Sequence, residues 1–185
     1  LWCKGNSTIP QNLLDESIHV PLLAKWPGRI GPGQVIEKPV DHCDLFATVL
    51  DAAGIDWRAA CEDMTGPGRS WLPLVTDQPL DSPWRGVQFC EYANARMART
   101  ADAKLIRRSP GPNGRFPDEF YDLAADPRET VNALDDPVHA ARIADLSTAL
   151  EVYFSRYEDP AVAGTRIAEL PRPNTREPWY AEVGQ

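Results

Sequence analysis

The sequence has no apolar run approaching the ~20 residues that a membrane-spanning helix needs, so no membrane segment is expected. It has no basic excess: 19 Lys and Arg stand against 27 Asp and Glu, a formal net charge of −8. General nucleic-acid binders and anionic-membrane binders need the opposite sign, so neither partner is expected. It has no C-x-x-C pair among Cys3, Cys43, Cys61 and Cys90, and the spacing does not point to zinc. Those cysteines are compatible with two disulfides or with separate half-buried thiols, and their number does not fix a compartment. The chain's 18 prolines exclude coiled coils and helical bundles. The opening Leu1-Trp2-Cys3-Lys4-Gly5 has neither an apolar signal-peptide core nor an initiator Met, so a piece of a longer protein is expected.

What is present describes a soluble, globular chain of 185 residues, 43% apolar and 25% charged, of one domain or one domain with a small appendage. Residues 18–26 form a short apolar run ended by turn-rich Pro27–Gly33, which suits a buried strand of a parallel sheet. Asp41 or Asp44 can cap a helix ending at Gly54, with Leu45, Val49, Ala52 and Ala53 on its apolar stripe. Residues 56–85, broken by Pro67, Pro73, Pro79 and Pro83, read as loop with one short helical turn near Arg69–Leu74. Four short segments between 86 and 123 predict an antiparallel meander. Ile143, Leu146, Leu150, Tyr153 and Tyr157 predict a helix over 137–157 lying across one face of it. The proline-rich tail from 158 is expected to run as an extended arm. The expected division is therefore 1–75, the end of an α/β domain whose beginning is absent; 76–157, a small antiparallel sheet with a packed helix; and 158–185, the tail.

Lys4 lies in a polar, glycine-containing loop, where an ammonium suits an anionic oxygen such as sulfate or phosphate. A solvated surface lysine is the plainer alternative. Asp41, His42 and Asp44 read either as a metal or acid/base cluster or, more simply, as a helix cap and a packed imidazole. His139 is expected to be solvated. Asn6-Ser7-Thr8 fits a glycosylation sequon, but a glycan two residues from an anion-binding lysine would obstruct it, so the match reads as coincidence.

Five pieces in order resemble the sulfatase family. They are Leu1-Trp2-Cys3-Lys4-Gly5-Asn6; Glu16–Leu23 followed by Trp26-Pro27-Gly28; Asp41–Leu50; Arg96–Thr100 with Lys104-Leu105-Ile106; and Glu119–Leu123 with Asp126, Pro127, Glu129 and Asn132. Cys3 stands where the family often has Gly, and His19 replaces its usual Arg. The resemblance implies an alkaline-phosphatase-like α/β fold with a C-terminal antiparallel subdomain. It implies hydrolysis of a sulfate ester, with Lys4 as the catalytic, substrate-binding lysine. It further implies a formylglycine nucleophile made in a Cys/Ser-x-Pro-x-Arg motif and a divalent cation, usually calcium. No cysteine here has Pro at plus two, and Ser70 and Ser82 also fail that motif. The nucleophile and the metal ligands are therefore expected in a missing N-terminal part, and this chain alone is expected to be inactive. A phosphodiester or phosphonate monoester hydrolase of the same superfamily, and a non-catalytic truncated module, stay open as alternatives.

Overall fold

The computed structural model describes residues 12–63, 66–76, 78–111 and 114–169, with only the backbone described at 61–63. The chain enters through a short helix, α1 (Asp15–Ile18). From His19 to Asp41 it forms neither helix nor strand. The strand expected at 18–26 is thus not present: Val20 and Leu22 are exposed and Leu23 is 92% exposed. A parallel strand needs a neighbour to take its backbone N–H and C=O groups. All four strands among the described residues are already used in an antiparallel sheet.

Helix α2 (His42–Ala52) begins where the aspartates place it. Asp41 accepts the Cys43 N–H at 2.9 Å, and Asp44 accepts the Asp41 N–H at 3.0 Å. It ends in a Schellman turn, with Gly54 N–H on Asp51 O at 3.0 Å and Ile55 N–H on Leu50 O at 2.9 Å, made possible by φ +75° at Gly54. Its buried residues are Asp44, Ala47 and Thr48, not the stripe through Leu45 and Val49. The reason is polar. Residues 66–72 lie along this face, where Asp44 accepts the Arg69 N–H at 2.9 Å and Thr48 Oγ1 accepts the Trp71 N–H at 3.1 Å. Gly68 sits so close to the Cys43 carbonyl that a Cβ there would collide with it. Within the expected loop stand two helices, α3 (Trp57–Asp63) and α4 (Leu72–Val75). The second matches the predicted turn. The first lies ahead of the prolines that break this stretch, and Asp56 caps it by accepting the Arg58 N–H at 3.0 Å.

The meander is as the spacing predicts: β1 (Gln88–Tyr92), β2 (Ala95–Arg99), β3 (Ala103–Arg108) and β4 (Glu119–Asp122), each antiparallel to the next. Side chains alternate across it. Ala98, Ala103, Leu105 and Phe120 face helix α5 (Ala140–Tyr157) and meet Leu146, Leu150 and Phe154. Ala95, Met97, Ile106 and Tyr121 face the other way and meet Leu13, with Leu14 and Ile18 packed alongside. The N-terminal segment therefore covers one side of the sheet and α5 the other. On α5 the stripe is completed by Phe154, with Tyr157 only half-buried. Steps of four from Leu146 hold this face better than the alternating steps read from the sequence. Residues 158–169 do not extend away. They fold back through a 3-10 turn (Gly164–Arg166), and the Gly164 N–H donates to Glu91 Oε1 at 2.9 Å. A side chain at Gly164 would strike the Ala93 carbonyl at the β1–β2 turn, so glycine is what allows the approach.

Leu150→Ala should cost about 2–5 kcal/mol, because Leu150 lies at the centre of the α5 face, whereas Val152→Ala, 64% exposed on the same helix, should be nearly neutral. Urea unfolding of both variants checks this. Equal midpoints would show that α5 does not pack on this stripe.

Candidate functional site

Lys4, with Cys3 and Asn6, lies outside the described residues. What the structure describes is how the segment that follows it is anchored. Leu13 is 1% exposed. The Lys104 side chain is buried beside it, on the sheet face opposite α5. Its ammonium donates to the Leu13 carbonyl at 3.1 Å and pairs with the carboxylates of Asp15 and Glu129. Arg99, the cross-strand neighbour of Lys104, grips Asp15 from the other side, with its Nη2 2.7 Å from Oδ2. Glu129 closes the circuit by accepting the Asp15 N–H at 2.7 Å. Two cations therefore meet two anions, and the pairing offsets a desolvation cost of several kcal/mol per ion. Burial on its own would raise the Asp15 carboxyl. Hydrogen bonds and charge from Arg99 and Lys104 outweigh it and hold the pKa at about 2.

The Glu119–Asn132 motif has a structural purpose in this setting. Tyr121 donates its hydroxyl to Glu119 at 3.0 Å. Asp126 accepts the N–H groups of Thr130 and Val131 at 2.6 and 2.8 Å, which tightens the turn. Asn132 accepts the Phe120 N–H at 3.0 Å and so ties the turn to β4. Between them Glu129 adopts φ +54°, a left-handed conformation that turns its carboxylate inward to Lys104.

The structure brings Asp41 and Asp44 together as caps and not as a metal or acid/base pair with His42, which is exposed. Asp44 is fully buried, and Arg85 pairs with both carboxylates. Among the described residues no group of three or more His, Cys, Asp or Glu is placed to hold a metal ion. Together with the missing Cys/Ser-x-Pro-x-Arg motif, this means that the described residues do not fit calcium or formylglycine. Cys43 and Cys90 are free thiols. Burial pushes the Cys90 thiol upward, which disfavours a nucleophilic thiolate. His139 is half-buried against Phe120, ring centroids 5.1 Å apart, and not solvated.

Sequence reasoning missed Lys104, Asp15, Arg99 and Arg85 as organising residues. A signal was present: in alternating β3, Lys104 shares a face with Ile106, and a charge at an inward position needs a buried partner.

Lys104→Met should cost about 3–5 kcal/mol, since it removes the buried cation that Asp15 and Glu129 share and leaves Arg99 on Asp15 alone. The acid dependence has a definite sign. A depressed carboxyl contributes stability above its unfolded pKa, near ~4, and loses it as pH falls toward the folded value of about 2. Stability measured from pH 7 to pH 2 should therefore fall less steeply below pH ~4 in Asp15→Asn than in wild type. Parallel curves would remove Asp15 from the account.

Comparisons with known proteins agree with this layout. The family described as N-sulphoglucosamine sulphohydrolase, C-terminal, matches residues 11–155. Steryl-sulfatase of Rattus norvegicus is 26% identical over 177 residues, covering 80% of this chain and 30% of that protein. Arylsulfatase K of Danio rerio is 32% identical over 129 residues, covering 65% and 23% respectively. The chain thus spans less than a third of the length of these relatives. A crystal structure of a Bacteroides thetaiotaomicron protein assigned as a sulfatase aligns with TM-score 0.50 and 27% identity, over 70% of this chain and 29% of that one. A second structure, from work on glycosaminoglycan metabolism in the same organism, shares the fold with TM-score 0.57 at 18% identity, over 78% and 31%. With its antiparallel sheet, packed helix and DP-x-E turn inside the matched range, the chain belongs to the sulfatase family of the alkaline-phosphatase-like fold, as its C-terminal region.

Proposed function

We propose that the protein carrying this chain hydrolyses sulfate esters and that Lys4 supplies a sulfate-binding ammonium to the reaction. The observation that carries the reading is the family match over residues 11–155, supported by relatives named as sulfatases across most of the chain. Lys4 precedes the matched range, and its role rests on the resemblance of Leu1–Asn6 to the family's lysine loop. Sulfate transfer builds negative charge on the non-bridging and leaving oxygens, and a fixed ammonium in a water-poor site stabilises that charge. The nucleophile and the cation, calcium by the family's habit, are assigned to residues outside this sequence. Residues 1–75 are taken as the end of the catalytic α/β domain, 76–157 as its C-terminal subdomain, and 158–185 as a tail whose first residues fold back on the β1–β2 turn.

A second reading is favoured by one relative. The multifunctional alkaline phosphatase superfamily protein PehA of Trinickia caryophylli is 29% identical over 145 residues, covering 70% of this chain and 27% of that protein. Phosphodiester or phosphonate monoester hydrolysis would use the same lysine chemistry.

In the full-length protein, Lys4→Ala should lower turnover of an aryl sulfate by about 100- to 1000-fold with an unchanged melting temperature. Retention of activity to within about threefold would contradict the lysine's role. Faster wild-type turnover of an aryl phosphonate than of the aryl sulfate would favour the second reading.

A further inference from the structure

A cleft of about 390 Å³ opens on the α5 side, between β3, the residues Ser109, Arg115 and Asp118, α5 and the turn at Gly164–Arg166. Four of the chain's 15 arginines line it, in a sequence whose net charge is −8. Two of them are neutralised from behind. Arg96 pairs with Glu91 and Glu158, both at 2.5 Å, and lies 4.0 Å from the Phe154 ring centroid. Arg108 pairs with Glu119 at 2.8 Å.

The other two share one carboxylate. Arg107 reaches Asp118 at 2.9 Å, whereas Arg115 approaches it only to 4.0 Å, beyond hydrogen-bond distance. Asp118 also accepts the Arg108 N–H at 2.7 Å, so its oxygens are already engaged. Arg107 is fixed in direction, because its Nη2 donates to Ser147 Oγ at 2.7 Å and that hydroxyl donates to the Ile143 carbonyl at 2.8 Å. Arg115, with a side chain 64% exposed, keeps open donors beside it. Glu151 also lines the cleft, is exposed, and forms no ion pair among the described residues.

We propose that this cleft binds a tetrahedral oxyanion, sulfate or phosphate, carried on a sugar-sized ligand, with Arg107 and Arg115 as its donors. A guanidinium presents planar paired N–H groups that match two oxygens of such an anion, and Arg107 and Arg115 converge on the single carboxylate of Asp118, which leaves N–H donors of Arg115 for the ligand. The volume suits a monosaccharide rather than a bare ion alone. Glu151 opposes the ligand and sets the affinity from the other direction.

NMR titration of the whole chain, following the side-chain Nε–Hε signals of Arg107 and Arg115, tests it residue by residue. The probes are inorganic sulfate, glucose 6-sulfate, glucose 6-phosphate and glucose. Saturable shifts at both arginines with a sugar sulfate or sugar phosphate, and none with glucose, are expected, and the two esters distinguish the anion. Arg115→Gln, an exposed change, should weaken binding about tenfold, and Glu151→Gln should tighten it about two- to threefold. Absence of saturable shifts with every anion, equal shifts with glucose, or identical affinities in Arg115→Gln, Glu151→Gln and wild type would overturn the proposal.

Discussion

Lys104 carries an ammonium to a point without solvent exposure, and much of the chain is arranged around satisfying it. An isolated charge there would be prohibitively unfavourable, so the fold must deliver anions to it. One comes from α1 through Asp15 and one from the DP-x-E turn through Glu129. Neither is local in sequence. Bringing them together fixes the N-terminal segment on one side of the sheet while α5 covers the other. The left-handed backbone at Glu129 follows from the same demand, since a residue placed in the ordinary helical or extended region would not aim its carboxylate inward along this turn.

A second buried carboxylate does comparable work for α2. Asp44 caps the helix, receives the Arg69 N–H and pairs with Arg85, which also contacts Gln88 at the start of β1. Cap, loop and sheet edge are joined through one side chain. The two ionic centres therefore join the helical first part of the chain to the antiparallel second part. Hydrophobic clusters supply most of the stabilisation on each sheet face, and the charges decide which segments meet there. This division of labour explains why a chain in a hydrolase family offers, among its described residues, carboxylates that serve caps and ion pairs.

Much of the fold was legible. The meander and α5 are set by short-range patterns, alternation and an apolar stripe, and these survive in any context that supplies a core. The α2 caps were legible because Asp41, Asp44 and Gly54 act on their own backbone neighbourhood. Residues 18–26 were misread because an apolar run specifies only that a strand would be buried, not that neighbours are at hand to pair with it. The buried face of α2 was misread because polar contacts to residues 66–72, far along the chain, outweigh the leucine and valine periodicity. The candidate site divides in the same way. Lys4 emerged from a linear motif. Lys104, Asp15 and Glu129 are partners across 89 and 25 residues, and only the folded chain shows which charges meet.

The central claim, that the ionic centre locks the N-terminal segment onto the sheet, is tested most directly at the Asp15 amide, whose N–H is donated to Glu129 Oε2 at 2.7 Å. Native-state hydrogen exchange of the whole chain should show that amide protected to a degree comparable with amides of β3, because both open only when the sheet itself opens. Exchange of the Asp15 amide at the rate of an unstructured peptide, while β3 stays protected, would contradict the account.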